Sequence, residues 1–332
     1  MSRNLYDLIG LAAGICFILA LKGLSSPKSA RRGNLIGALG ATIATIIVFF
    51  YANDGKALNN QTLILASIAF GVLVGVPAAR KVQMTQMPQL VALFNGVGGG
   101  AAALVAIVEY LKLGDGATTA EVVATVFTVI VGCVSFSGSI ITFMKLQELM
   151  TTRPVIFPFG RQVIALTLVG VLASGGWVIS SGGSTPLLVN GLLSLLFGVL
   201  FVLPVGGADV PIVISLLNAF TGLTVAASGY VLQTTLLIVA GTLVGASGTI
   251  LTRLMAEAMG RSLFGTLFGA FTAKPQDVAA AGDYHLKLTY PGAGRPVWAI
   301  KTDEGTTLQN QQARTSGYHI YPFGILNFAT PG

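Results

Sequence analysis

An asparagine stands at position 95 inside the apolar stretch "MTQMPQLVALFNGVGGGAAALV" (84–105), and Gly96, Gly98, Gly99 and Gly100 follow it. An amide both donates and accepts hydrogen bonds but does not titrate near neutral pH. Asn95 could therefore order water or assist an acid, and could not itself carry a proton. The plainer alternative is an amide that bonds a neighbouring helix. The glycines fit a loose G-x-G-x-x-A, yet no strand precedes them and no βαβ unit surrounds them. They read instead as a smooth face for another helix or a chain of water. "GGADVPIVISLLNAFTG" (206–222) holds the second group. Asp209, beside Pro211, is either a helix-start carboxylate favoured by the helix dipole or a coupling acid. Asn218 lies nine residues further along, about 13 Å at 1.5 Å per residue, and a second amide makes a shared polar core more plausible. In "GTLVGASGTILTRLMAEAMGRS" (241–262), Gly241, Gly245 and Gly248 recur on one helix face. Ser247 and Thr252 add hydroxyls, and Arg261 and Ser262 close the stretch. Asp7 and Glu109 lie near the ends of apolar runs and read as solvated. Both histidines, His285 and His319, fall outside the apolar part. A proton path here would use Asp, Glu, Asn, hydroxyls and water, or a group from a partner chain.

Such residues need long helices to hold them. Of 332 residues, 53 % are hydrophobic and 9 % charged, against about 25 % charged in soluble domains. The fold class expected is an all-α polytopic membrane protein. Nine apolar segments reach spanning length: 4–24, 33–51, 61–80, 86–111, 119–146, 161–181, 186–204, 209–230 and 233–256. The first has no convincing cleavage site and is kept as a helix rather than a signal peptide. Forty-two glycines suit close helix packing. The net charge of +7 does not indicate nucleic acid, because the cations cluster between apolar runs. Cys16 and Cys133 lie inside such runs and read as packed thiols.

The cations also set orientation. Lys22, Lys28, Arg31, Arg32, Arg80, Lys81, Lys145, Arg153 and Arg161 fall on one side, and Arg3, Lys56 and Lys112 on the other. The positive-inside rule then puts the N-terminus outside and the C-terminus in the cytoplasm. Residues 1–272 form the expected transmembrane domain, and 273–332 a short, irregular, polar cytoplasmic tail with one strand and turn at "LKLTYPGAG".

"KVQMTQMPQLVALFNGVGGGAAALVA", "GGADVPIVISLLNAFTGL" and "LLIVAGTLVGASGTILTRLMAEAMGRS" resemble the membrane domain of the β subunit of proton-translocating NAD(P) transhydrogenases. The resemblance covers about residues 4–272. It implies an enzyme only as part of a complex, in which inward proton flow drives hydride transfer from NADH to NADP⁺. NAD(H) and NADP(H) would be bound by domains outside this chain, the former on an α subunit. No catalytic or metal-ligating residue is expected here, and the resemblance assigns no cofactor-binding residue to this chain. The proton channel would be Asn95, Asn218 and Asp209, and the coupling helix would present Gly241, Gly245, Ser247 and Gly248. Arg261 and Ser262 would link to the nucleotide domain. A bacterial inner-membrane location and a dimer of complexes are implied as well.

Two departures stand out. Many members carry a titrating histidine where this chain has Asn95. The channel's proton-binding group is then expected on a neighbouring α-subunit helix, with the glycines leaving room for it. No Rossmann pattern follows "KLTYPGAG" and Arg295–Pro296. The tail is a diverged, rearranged or frameshifted end, or the nucleotide domain sits on a separate polypeptide. A non-catalytic remnant or passive channel on the same scaffold, and a secondary transporter using Asn95, Asp209 and Asn218, are the alternatives.

Overall fold

The structure, a computed structural model, describes residues 3–50 and 60–260 and five short strands between 285 and 328. It forms two units by contact, Met1–Phe271 and Thr272–Gly332.

In the first unit the described residues form nine helices long and apolar enough to cross a membrane. They are α1 (Arg3–Leu24), α2 (Pro27–Phe50), α3 (Gln61–Lys81), α4 (Met87–Leu113), α5 (Thr119–Leu146), α6 (Gly160–Ser181), α7 (Ser184–Val202), α8 (Val210–Val231) and α9 (Thr235–Ala258). In hydrocarbon, every backbone N–H and C=O must be satisfied within the segment, which is why long apolar runs become helices.

Local chemistry sets several boundaries. Prolines stand in the first turns of α4 and α8, where the missing N–H has no helical acceptor to lose. Thr118 caps α5 by accepting from Glu121 N–H, and the Glu121 carboxylate accepts from Thr118 N–H at 2.8 Å. The expected segments match these helices closely except at α2, which begins at Pro27 rather than 33. Lys28, Arg31 and Arg32 occupy its first two turns, outside any apolar window but still helical.

α5 is the hub. It packs on α4, α6, α7 and α8, while α9 packs chiefly on α8, and α1 joins α2 and α9. α5 is the most buried helix, and α3 has no buried residue. Tyr110, Val126, Val129, Leu187 and Val178 form one core cluster at the α4–α5–α6–α7 contact. Val202, Val205, Val213 and Leu217 form another between α7 and α8.

In the second unit the described strands are antiparallel. β1 (His285–Thr289) pairs with β2 (Val297–Lys301), β2 with β3 (Gln311–Gln312), and β4 (Tyr318–Ile320) with β5 (Leu326–Phe328).

Candidate functional site: a polar thread across three helices

Asn95 is the ninth residue of α4, about 12 Å from its start, and Asn218 is the ninth residue of α8. Both helices begin at the bundle end where α5 finishes, so the two amides share a depth. Asn95 is buried, and its Nδ2 donates to Ser139 Oγ at 2.9 Å and Ser135 Oγ at 3.3 Å, both on α5. Ser135 Oγ continues the thread onto α8, lying 2.5 Å from Thr221 Oγ1 and 3.1 Å from Leu217 O. Thr221 also donates to Leu217 O at 3.0 Å. One amide and three hydroxyls thus link α4, α5 and α8 in otherwise apolar surroundings. Asn95 Oδ1 is buried and has no hydrogen-bond partner among the described residues. It remains an acceptor for water or for a donor from elsewhere.

The plainer reading of Asn95 holds: the amide bonds a neighbouring helix. Asn218 does not join the thread directly. It is half-buried and lies one turn before Thr221 on the same side of α8.

The glycines after Asn95 do something other than leave room for a foreign helix. A Cβ on Gly96 would stand 3.0 Å from Ser139 Cβ, and one on Gly99 3.0 Å from Ser135 Cβ. On Gly100 it would meet the Phe136 ring at 2.9 Å. These three are filled by α5 of the same chain, because only a missing side chain lets the Asn95 amide reach serines on the next backbone. Gly98 instead faces Thr221 of α8.

Asp209 closes a single 3-10 turn and is the N-cap residue of α8, but its side chain makes no capping bond. Its half-buried place puts a carboxylate at the entrance of the helix carrying Thr221 and Asn218.

Gly241, Gly245 and Gly248 are buried on one face of α9 against α8. A Cβ on Gly241 would collide with Gly222 O at 2.7 Å, and one on Gly248 with Ala219 Cα at 2.9 Å. Ser247 lies off this face: it is exposed, and its hydroxyl bonds back to Val244 O. Across this interface Thr252 Oγ1 donates to Ser215 Oγ at 2.9 Å, with both residues buried, and Ser215 Oγ donates to Gly248 O at 3.4 Å. Arg261 and Ser262 lie outside the described residues.

Sequence reasoning missed Ser135, Ser139, Thr221 and Ser215, and it misread Lys145. That lysine is fully buried and bonded to carbonyls, not a loop cation, which leaves eight cations on its side against three. Asp7 is exposed, while Glu109 is half-buried and pairs with Lys112 at 3.3 Å.

Nothing among the described residues fits a nicotinamide nucleotide. "GVGGGA" is interior to α4, where its N–H groups are spent on the helix, and the described strands of the second unit pair antiparallel.

Among the described residues, nine helices long and apolar enough to cross a membrane, with a buried amide and hydroxyls bonded between three of them, define a multi-pass membrane protein. The particular family follows from comparison: residues 6–292 match the family described as NAD(P) transhydrogenase beta subunit, and the chain belongs to it. The match runs past residue 272 to residue 292, beyond the first described strand of the second unit. The chain is 39 % identical over 289 residues to NAD(P) transhydrogenase subunit beta of Rhodospirillum rubrum, and the same figures hold for that subunit from a named strain of the species. The alignment covers 85 % of this chain and 61 % of that relative. The chain therefore spans less than two thirds of the length of the relatives it matches.

Proposed function

We propose that this chain is the proton-conducting membrane subunit of a proton-translocating NAD(P)⁺ transhydrogenase in a bacterial inner membrane, with its N-terminus outside and C-terminus cytoplasmic. Proton flow inward through residues 1–272 drives hydride transfer from NADH to NADP⁺ between soluble domains. The NAD(H) domain belongs to an α-subunit partner. The NADP(H) domain is supplied outside the segment 273–332, which serves as a cytoplasmic tail. The working assembly is a dimer of such complexes.

The observation that carries this reading is the thread Asn95–Ser139/Ser135–Thr221. Hydroxyls both donate and accept, so a chain of them can pass a proton by successive exchange where each site is re-protonated from behind. Asn95 cannot take the charge. Its role is to hold the serines and to orient water or a titrating group of the partner subunit through the unpaired Oδ1. Asp209 collects or releases the proton at the mouth of α8, and Asn218 lines the same passage. Movement reaches the nucleotide domains through α9, whose glycine face with nearby Ser247 slides on α8, and through Arg261 and Ser262 beyond it. Such coupling needs about 1–3 kcal/mol of bias between two states.

The test is Asn95→Leu in the assembled complex in membrane vesicles. A packing role and a channel role separate here. Leucine deletes the unpaired acceptor together with the Nδ2 donor that bonds Ser135 and Ser139, so pumping is read per assembled complex, which separates lost packing from lost conduction. Proton pumping should fall at least tenfold. Pumping at the unsubstituted rate overturns the assignment.

A further inference from the structure

Lys145 is the last basic residue of α5 and is fully buried. Its Nζ donates to Val202 O at 3.2 Å, Leu203 O at 2.5 Å and Val205 O at 2.7 Å. An ammonium has three N–H donors, and here all three are met by main-chain oxygens. Among the described residues no salt bridge includes it. A buried charge is costly to desolvate unless fully bonded, so its persistence here calls for a specific use.

The acceptors define that use. Val202 ends α7 and Leu203 is its C-cap, so their carbonyls belong to the negative end of the helix, where they are bonded from beyond it: Val205 N–H donates to Val202 O at 3.1 Å. Val205 lies in the turn that follows, four residues before Asp209. The same turn is tied to the α5–α6 loop by Val155 N–H to Leu203 O at 3.1 Å and Gly207 N–H to Thr152 O at 3.0 Å. One charge on α5 therefore holds the end of α7 and the turn that launches α8.

We propose that Lys145 is a positioning residue for the entrance of α8: its three bonds fix the α7–α8 turn, and with it the place of Asp209 and of the first turn of α8 against α5. The functional half of this inference rests on the proposed role of Asp209, and the structural half does not. Removing the bonds frees the turn, and the carboxylate then samples positions from which it no longer serves the thread 12 Å or so deeper.

The test reads the turn directly. A Cβ at Gly207 would lie 3.6 Å from Thr152 Cβ, inside the range that a disulfide spans, and both residues are exposed. The full chain is placed in membranes with Cys16 and Cys133 changed to alanine and with Gly207→Cys and Thr152→Cys. Its disulfide formation rate is compared in Lys145, Lys145→Met, Lys145→Gln and Lys145→Arg forms at equal amounts of embedded chain. Methionine keeps the volume and no donor, glutamine keeps two donors without charge, and arginine keeps both. We expect the rate to fall at least fivefold with methionine, less with glutamine and least with arginine. A purely packing role predicts the reverse order, and an unchanged rate in Lys145→Met overturns the proposal. Proton pumping by the same Lys145 variants, without the added cysteines, is measured in the assembled complex. A slowed cross-link with pumping lost supports both halves. A slowed cross-link with normal pumping keeps the clamp and refutes the part given to Asp209.

Discussion

Gly222→Ala is the sharpest probe of the α8–α9 interface. A Cβ at Gly222 would collide with the backbone nitrogen of Gly245 and come within 2.9 Å of Gly245 Cα and the Val244 carbonyl carbon. Carbon atoms sit comfortably at about 3.5–4.0 Å, so α9 has to retreat by roughly 0.5–1 Å, and no side-chain rotation relieves a clash with backbone. Overpacking of this kind costs about 1–3 kcal/mol. The retreat also opens the approach of Gly248 to Ala219 and stretches the Thr252–Ser215 bond beyond its 2.9 Å. Gly245→Ala is the control. Its Cβ first meets Leu223 Cδ2 at 2.9 Å and Cγ at 3.1 Å. Leu223 is 39 % exposed, so its end can swing aside for less than about 1 kcal/mol. In thermal unfolding of the purified chain, Gly222→Ala should lower the midpoint by about 2–12 °C and Gly245→Ala by clearly less, under about 4 °C, taking about 2–4 °C per kcal/mol as for large single domains. Equal shifts, or a larger loss at Gly245, would refute the argument that backbone contact is what holds these helices.

Other outcomes follow from single bonds. Ser135→Ala removes the hydroxyl joining Asn95 to Thr221 and should cut proton flux in vesicles at least tenfold. Ser137→Ala, whose hydroxyl returns to Cys133 O in its own helix, should leave flux within twofold. Asn190 is buried between α6 and α7 and donates to Val171 O and Ser174 Oγ, each at 3.0 Å. Asn190→Ala should cost about 1–3 kcal/mol in unfolding while flux per folded chain is unchanged. Thr252→Val deletes the hydroxyl bond across α8–α9 for about 1 kcal/mol. Combined with Gly222→Ala it should destabilise by less than the sum, because both act on one interface.

The crossings were legible because hydrocarbon imposes them: a run of about twenty apolar residues leaves a helix as the available spanning form. The glycine face at 241, 245 and 248 was legible from its spacing alone, which matches the helix repeat. Ser247, grouped with it by resemblance, turns about 100° per residue away from that face and is exposed. The thread was half legible. Asn95 declared itself as an amide among leucines and valines, but Ser135 and Ser139 did not. Hydroxyls in such helices ordinarily bond their own preceding carbonyls, as Ser137, Thr142 and Thr128 do, so nothing in their spacing separates a cross-helix serine from a self-satisfied one. Lys145 was misread for a related reason. A lysine ending an apolar run resembles an interfacial anchor, and its acceptors lie 57 to 60 residues downstream. The close filling of Gly96, Gly99 and Gly100 by α5 likewise depends on which helix comes alongside, a fact of packing rather than of spacing.

α3, which contributes no buried residue to the bundle, has a consequence in parity. A helix with its backbone bonds closed and an apolar exterior can sit in lipid without neighbours, so losing it would remove little packing. It would, however, remove one crossing. α1 and α9 start at the same end of the bundle, where Asn4, Asp7 and Leu8 of α1 and Thr235 and Leu236 of α9 line one open cavity of about 430 Å³. Deleting α3 would invert either the α1–α2 hairpin or everything from α4 onward, and that parallel pairing would be lost in both cases. The least-packed helix thus decides, by parity alone, which way up the Asn95–Ser135–Thr221 thread stands relative to α1 and α2.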